Sequence, residues 1–121
     1  MSIQPGSTAL HQKLVKDFQM AAYSVHGDIF ILPVTNGMFR DFESAERIIH
    51  SGIPGVPDLI VFGRGWYFYL DAKTGRAKFN PNQVNFKKRM HEMLGHDVVY
   101  KMPDIVTGMA LIKLFKQQFN E

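Results

Sequence analysis

The strongest constraint on the fold lies between residues 59 and 70, where two apolar runs flank a short turn. Residues 59–62 and 66–70 are separated by Gly63-Arg64-Gly65. Two strand-length apolar runs joined by a glycine-rich turn predict an antiparallel β-hairpin. Both runs are almost continuously apolar, which is typical of strands that are covered on both faces. The sequence therefore predicts a sheet flanked by helices.

Elsewhere, apolar residues recur at three- and four-residue steps in segments of helical length. Ser7 or Thr8 is the expected N-cap of the first helix, and Asn80, followed by Pro81, is the expected N-cap of the third. The predicted helices cover residues 8–25, residues 40–51, residues 81–94 up to Gly95, and a last segment that opens at Pro103-Asp104.

Two further apolar runs, at residues 29–34 and 97–101, have the length of strands. The predicted order is α-β-α-β-β-α-β-α, with a mixed β-sheet of about four strands flanked by helices. Because no repeat or linker interrupts this order, we expect residues 1–121 to form one α/β domain, with residues 1–7 as a flexible N-terminal tail.

Composition narrows the class of protein. The chain has no cysteine, which excludes disulfides and thiolate metal sites. It has no run of about 18 apolar residues and no signal-like start, so we expect a cytoplasmic protein that makes no membrane contact. Fourteen basic against 11 acidic residues give a net charge of +3, which favours an anionic partner such as nucleic acid.

Charged residues stand at the ends of the predicted hairpin. Asp58 opens its first strand and Asp71 closes the second, so pairing of the strands brings the two carboxylates together. A divalent metal would relieve their repulsion, and Mg²⁺ and Mn²⁺ prefer oxygen ligands of this kind. Side chains alternate along a strand, so Lys73 shares a face with Asp71 while Ala72 leaves its carbonyl available. This arrangement suits phosphodiester hydrolysis, although solvated turn residues would show the same pattern.

The motifs around this hairpin resemble those of a known nuclease family. Pro57-Asp58 and Asp71-Ala72-Lys73, with 12 residues between the two acidic positions, resemble the PD-(D/E)xK signature of the restriction-endonuclease-like superfamily. The wider pattern over residues 8–101 is similar to the VRR-NUC (virus-type replication-repair nuclease) family, stand-alone phage or bacterial type. The segments that carry this similarity are Asn36-Gly37, Gly55-Val56-Pro57-Asp58, Asp71-Ala72-Lys73 and Pro81-Asn82-Gln83.

The resemblance implies a restriction-endonuclease-like core and a set of site residues. Asp58, Asp71 and the Ala72 carbonyl would bind Mg²⁺ or Mn²⁺, Lys73 would position the attacking water, and Gln83 would support the site from the following helix. Two features depart from the family pattern. Asp71 replaces the commoner Glu, and the first helix offers no Glu in its opening turns, where His11 or Gln12 stands instead.

Basic and polar residues near these motifs are candidates for DNA contact, because Lys and Arg bind phosphate without reading sequence. The candidates are Asn36, Arg40, Arg76, Lys78 and Lys87. A solvated helix face or ordinary turn chemistry would explain the same residues.

Stand-alone members of the family resemble junction-resolving dimers, which implies a homodimer that cleaves branched DNA, most directly a four-way (Holliday) junction, without a small-molecule cofactor. Three alternatives stay open at this point. They are a flap or nicking nuclease of the same fold, a catalytically inactive nucleic-acid-binding domain, and an interaction domain in which the charged strand ends have no function.

Overall fold

The computed structural model describes residues 5–34, 37–40, 48–51 and 54–119. Within these ranges the elements follow in the order α1 (Pro5–Val25), β1 (Phe30–Pro33), β2 (Gly37–Arg40), β3 (Ile48–Ser51), β4 (Leu59–Phe62), β5 (Tyr67–Ala72), α2 (Pro81–Leu94), β6 (Val99–Met102) and α3 (Ile105–Phe119).

The main sheet has four strands in the order β1-β4-β5-β6, and β2 and β3 pair separately as a two-stranded sheet. β1 and β5 both lie antiparallel to β4, whereas β6 is parallel to β5. The parallel pair requires a crossover, which α2 provides. The α/β class and the mixed four-stranded sheet predicted from the sequence are therefore confirmed.

The predicted hairpin forms between β4 and β5, with Leu59 opposite Leu70. Its turn is closed by a hydrogen bond from the Gly63 N–H to the Trp66 carbonyl at 2.9 Å. The two faces of β5 are covered by different helices. The Phe68 ring lies 4.7 Å from that of Phe115 on α3, and the neighbouring Tyr69 ring lies 5.2 Å from that of Phe86 on α2. Coverage on both faces explains why this strand is apolar almost throughout.

α1 and α3 share one face of the sheet and pack closely on each other. At their contact, a Cβ added to Gly108 would lie 2.6 Å from both the Phe18 ring and the Met102 sulfur. Only a residue without a side chain allows this approach. The buried residues around this contact form the largest part of the core and include Phe18, Leu59, Val61, Phe68, Leu70, Met102, Ile112 and Phe115. None of the three described helices is long and apolar enough to cross a membrane.

α2 begins with a reciprocal pair of hydrogen bonds. The Gln83 N–H donates to Asn80 Oδ1 at 2.9 Å, and the Asn80 N–H donates to Gln83 Oε1 at 2.9 Å. This capping box satisfies two backbone groups that the helix start would otherwise leave unpaired. Pro81 occupies the first turn, and Gly95 ends the helix in the left-handed conformation with φ 81°. The predicted limits of this helix are thus confirmed.

Replacing Asn80 with alanine removes this cap. We expect a loss of about 1 kcal/mol in the free energy of unfolding, the usual cost of deleting an N-cap side chain. Asn85, an exposed residue within the same helix, provides the control, because Asn85→Ala deletes a similar side chain without removing a cap. Urea denaturation of the two variants measures the difference. Equal stability of the two variants would contradict a capping role for Asn80.

The outer edge of β1 is closed to further strand pairing. The Ile31 N–H points away from β4 and donates to the Tyr23 hydroxyl at 2.8 Å. Pro33, the next residue on that edge, has no N–H to donate. A side-chain cap and a proline are common means by which sheets avoid edge-to-edge association.

One predicted helix is wrong. Residues 40–51 were predicted to be helical, but Ile48–Ser51 form β3, which pairs antiparallel with β2 (Gly37–Arg40). Consecutive β-branched residues, Ile48 and Ile49, favour an extended strand, and cross-strand pairing outweighs the apolar spacing that indicated a helix. Residues 41–47 lie outside the described residues.

The first helix starts earlier than predicted. α1 begins at Pro5, so Ser7 and Thr8 lie within the helix and are not its N-cap, and residues 5–7 are not part of a tail. A proline at the first helical position is favourable because its fixed φ suits the helix and its missing N–H needs no partner there. Residues 1–4 of the predicted tail lie outside the described part of the chain.

Candidate active site

Asp58 and Asp71 face each other at the end of the hairpin. The β4–β5 register pairs Leu59 with Leu70, and its extension by one residue places Asp58 opposite Asp71. Both side chains line an open pocket of about 430 Å³. The other lining residues are His11, Gln12, Ala72, Lys73, Thr74, Ala77 and Gln83. The hairpin thus brings the two carboxylates together, as its geometry predicts.

Asp58 is held through both its main chain and its side chain. Its carbonyl accepts a hydrogen bond from the Val34 N–H at 2.8 Å, which ties it to the end of β1. Its Oδ2 accepts from the Ala72 N–H at 2.9 Å and lies 3.0 Å from His11 Nε2. These contacts come from β1, β5 and α1, so three elements determine the position of this carboxylate.

Asp71 is a buried carboxylate that contacts Gln83, Lys73 and the Asp58 carboxylate. Only 3% of the residue is exposed. Gln83 Nε2 donates to its Oδ2 at 2.8 Å, and Lys73 Nζ lies 3.3 Å from the same oxygen. Burial, with the adjacent Asp58 charge, raises the pKa of Asp71 from its ordinary 3.8 to about 6, although the Lys73 ammonium opposes the rise. One ammonium therefore does not compensate the two carboxylates.

The capping box of α2 also orients Gln83 in the site. Because Gln83 Oε1 accepts from the Asn80 N–H, its Nε2 is directed to Asp71. Gly55, in the loop before Asp58, packs against the start of the same helix. It has φ +90°, and a Cβ on it would overlap the Asn82 carbonyl. The loop that leads to Asp58 and the helix that orients Asp71 are therefore in direct contact.

Lys73 and Ala72 follow the alternation expected of a strand. The Lys73 N–H donates to the Met102 carbonyl at 3.1 Å, so its backbone is directed to β6. The Ala72 N–H instead points to Asp58. In an extended strand the N–H and C=O of one residue point to the same neighbour, so the Ala72 carbonyl is on the Asp58 side. It is available as an oxygen ligand beside the two carboxylates.

The donor set fits a hard divalent cation. Two carboxylates and a main-chain carbonyl are the ligands that Mg²⁺ and Mn²⁺ select, and Mg²⁺ usually keeps several waters as well. Burial, the larger cause, and the Asp58 charge both raise the pKa of Asp71, and a positive ion beside it would favour its charged form. Among the described residues no group of three or more His, Cys, Asp or Glu is arranged to hold a metal ion. A cation here would depend on Asp58, Asp71, the Ala72 carbonyl and water.

The candidate DNA contacts are only partly brought together. Arg76 and Lys78 are exposed on either side of Ala77, which lines the pocket. Lys87 lies on α2 in a separate cavity of about 400 Å³. Asn36 falls outside the described residues, and for Arg40 the structure describes only the backbone, at the end of β2. A basic rim next to the pocket therefore rests on Arg76 and Lys78.

The sequence analysis named Asn80, Gln83 and His11, but it missed the contacts by which they take part in the site and the packing of Gly55. The Asn80-x-x-Gln83 spacing matches a capping box, so the orienting bond to Gln83 had a sequence signal. The packing of Gly55 on Asn82 and the contact of His11 with Asp58 join distant parts of the chain, and no local pattern encodes them.

Fold and site together define an α/β domain in which a buried carboxylate, a partly exposed carboxylate and a lysine meet at the end of a hairpin. Comparison with protein-family models, curated proteins and solved structures finds no match to this chain. Membership of the VRR-NUC family therefore stays a prediction from the sequence motifs.

The raised pKa of Asp71 predicts how stability depends on pH in the absence of divalent ions. Because the folded-state pKa is about 6 and the ordinary value is 3.8, the folded protein binds the proton more tightly. Protonation of Asp71 thus stabilises the fold at about pH 4, and this contribution disappears as pH rises through 6. In EDTA, we expect Asp71→Asn to be more thermostable than the wild type at pH 7.5, by several degrees, with a smaller difference at pH 4.

Thermal unfolding of the two proteins between pH 4 and 8 measures this effect. Asp17→Asn is the control, because Asp17 forms an exposed pair with Lys13 and does not line the pocket. A stability difference between the wild type and Asp71→Asn that does not change with pH would contradict the prediction.

Proposed function

We propose that this chain is a divalent-cation-dependent DNA endonuclease of the VRR-NUC type, with a restriction-endonuclease-like core. The observation that carries the proposal is the convergence of Asp58, Asp71 and Lys73. The two carboxylates share one open pocket, and Lys73 Nζ lies 3.3 Å from Asp71 Oδ2. Hydrolysis of a phosphodiester needs charge stabilisation at the phosphate and an oriented water, and this set of groups is suited to both tasks.

Asp58, Asp71 and the Ala72 carbonyl would hold the Mg²⁺ or Mn²⁺ ion. When bound, the cation would neutralise charge that develops on the scissile phosphate and acidify the attacking water. Gln83 keeps Asp71 in one orientation through its 2.8 Å hydrogen bond. The chain thus supplies rigid oxygen ligands, which matters because a small misplacement of reacting groups is costly in rate.

Lys73 is the cationic group of the site. Its side chain is only 18% exposed, so its ammonium is partly shielded from water and its charge acts strongly on nearby groups. We assign to it a hydrogen bond to the attacking water or to a phosphate oxygen. In either position it favours the transition state, in which negative charge on the phosphate oxygens is greatest.

DNA would reach this pocket across the exposed rim formed by Arg76 and Lys78. Cationic side chains at such a rim would bind backbone phosphates on either side of the scissile bond, without preference for sequence. Lys87, Asn36 and Arg40 are further candidates for phosphate contact.

The choice of a branched substrate rests on the resemblance to junction-resolving dimers. One pocket cuts one strand per encounter, whereas a two-fold dimer presents two pockets to the two equivalent strands of a symmetric junction. We therefore propose a homodimer acting on four-way junction DNA in the cytoplasm.

The test is cleavage of labelled DNA in Mg²⁺, Mn²⁺ and EDTA. Four-way junction, flap, nicked and linear duplex substrates of the same sequence are compared at equal protein concentration. We expect cutting of the junction in either metal and none in EDTA. Preferential cutting of flap or nicked DNA would show that this DNA, and not the four-way junction, is the substrate. Binding without cutting in either metal would refute the enzymatic proposal.

A further inference from the structure

The contact between His11 and Asp58 links α1 to the carboxylate pair. His11 Nε2 lies 3.0 Å from Asp58 Oδ2, and both side chains are partly buried, with exposures of 39% and 32%. Because the oxygen is an acceptor, Nε2 carries the proton in this contact whether the imidazole is neutral or charged. His11 is therefore a donor to Asp58 in both protonation states.

We propose that His11 is a positioning residue that fixes the orientation of the Asp58 carboxylate for the divalent cation. The terminal torsion of an aspartate is broad, so its two oxygens are not fixed by rotamer preference alone. Two hydrogen bonds of the Asp58 carboxylate, from the Ala72 N–H and from His11, end on Oδ2. Two donors on one oxygen restrain the rotation of the carboxylate, so that it would present Oδ1 to a bound cation in one orientation.

The position of His11 is itself determined by the core. It lies on α1 one turn before Leu14 and two turns before Phe18, which is completely buried. Residues at these spacings share one face of a helix. Phe18 packs against Gly108 on α3, so the helix cannot rotate without disrupting the core. α1 thus holds its imidazole against Asp58 as a rigid support.

The inference rests on the proposed function, because it concerns the same cation site. The inference goes beyond the proposed function because it assigns a role to α1, which lies outside the hairpin motif. Hydrogen-bond partners of metal ligands usually contribute 10- to 100-fold to metal affinity or activity. Loss of the His11 contact is therefore expected to weaken cation binding without removing a ligand.

The test is direct Mn²⁺ binding, measured by titration calorimetry in the absence of DNA. We expect His11→Ala to raise the dissociation constant about 10-fold or more. His11→Gln keeps an N–H close to the place of Nε2, so its dissociation constant is expected within about threefold of the wild type, the range of context effects for one retained hydrogen bond. Asp58→Asn, which removes a ligand, is expected to abolish detectable binding.

His91→Ala is the matched control. His91 Nδ1 lies 2.8 Å from Asp97 Oδ1, a second His–Asp contact on the surface that lies away from the pocket. Its removal leaves Mn²⁺ affinity unchanged if the effect of His11 is specific. Circular dichroism and the melting temperature of each variant show whether the fold is kept. We expect His11→Ala and His11→Gln to melt at similar temperatures, so a difference in their Mn²⁺ affinity would reflect the lost hydrogen bond and not a loss of fold.

Each outcome bears on the proposal in a defined way. Equal Mn²⁺ affinity of His11→Ala and the wild type, with binding lost in Asp58→Asn, would overturn the role of His11 and leave the proposed function intact. A wild type that binds no divalent cation would overturn both. A wild type that binds Mn²⁺ but cuts no DNA, with weaker binding in His11→Ala, would support the positioning role and refute the nuclease.

Discussion

Lys73→Ala is expected to reduce the rate of four-way junction cleavage by about 10²- to 10³-fold, the usual effect of deleting one preorganised electrostatic group. The ammonium lies 3.3 Å from Asp71 Oδ2 and its side chain is largely buried. Because the side chain itself is shielded, solvent screens its charge less than it would at the surface. Junction binding, measured by gel shift in Ca²⁺, should change little, because Arg76 and Lys78, the proposed phosphate contacts, are retained.

Asp71→Asn extends this prediction. It removes a cation ligand, so cleavage is lost, yet it also removes the charge that the buried site tolerates poorly. We therefore expect an inactive protein that is more stable in EDTA at neutral pH than the wild type. A substitution that improves stability and abolishes activity is typical of a functional residue held in an unfavourable environment.

The control for Lys73→Ala is Lys113→Ala, which removes an exposed lysine on α3. We expect wild-type rates for it. Retention of more than half of the wild-type rate by Lys73→Ala, under conditions where Lys113→Ala is fully active, would remove Lys73 from the catalytic set.

Gly55→Ala is expected to cost about 2–5 kcal/mol in the free energy of unfolding. Two effects add here. The residue has φ +90°, which costs a side-chain-bearing residue roughly 1–2 kcal/mol. Its Cβ would also overlap the Asn82 carbonyl, and overpacking typically costs about 1–3 kcal/mol. The structure can relieve the overlap only by separating the loop before Asp58 from the helix that orients Asp71.

Gly65→Ala isolates the first effect. Gly65 has a similar φ of +82° but no neighbour within 4 Å of an added Cβ, so only the conformational cost of about 1–2 kcal/mol applies. Denaturant unfolding of both variants gives the difference between them. If Gly55→Ala and Gly65→Ala lose the same stability, the packing of Gly55 on α2 is not rigid. Cleavage by Gly55→Ala should also fall relative to Gly65→Ala, because Asp58 is displaced from Asp71.

The predictable part of this site is the part encoded locally. Asp58 and Asp71 stand at the ends of a hairpin whose turn fixes the register, so their convergence follows from sequence spacing. The position of Lys73 on the same face as Asp71 follows from strand alternation, and the role of Asn80 as the N-cap of α2 follows from its place before Pro81. These features depend on residues that are close in the chain or joined by one tight turn.

The unpredicted part depends on packing between distant segments. His11 meets Asp58 only because α1 crosses the end of the sheet, and Gly55 meets Asn82 only because α2 starts there. The helix predicted over residues 40–51 failed for a related reason. Its apolar spacing suited a helix, but pairing between β2 and β3 is a non-local interaction that a periodicity analysis does not weigh.

The closed outer edge of β1 restricts how two copies of this protein can associate. With the Ile31 N–H occupied by Tyr23 and with Pro33 beside it, two subunits cannot merge their sheets across this border into one continuous eight-stranded structure. If the proposed dimer forms through side chains, and not through the other sheet edge at β6, its two pockets would not be held at a fixed strand-to-strand spacing. Such subunits could tilt to follow the arms of a flexible DNA crossover without breaking a backbone ladder.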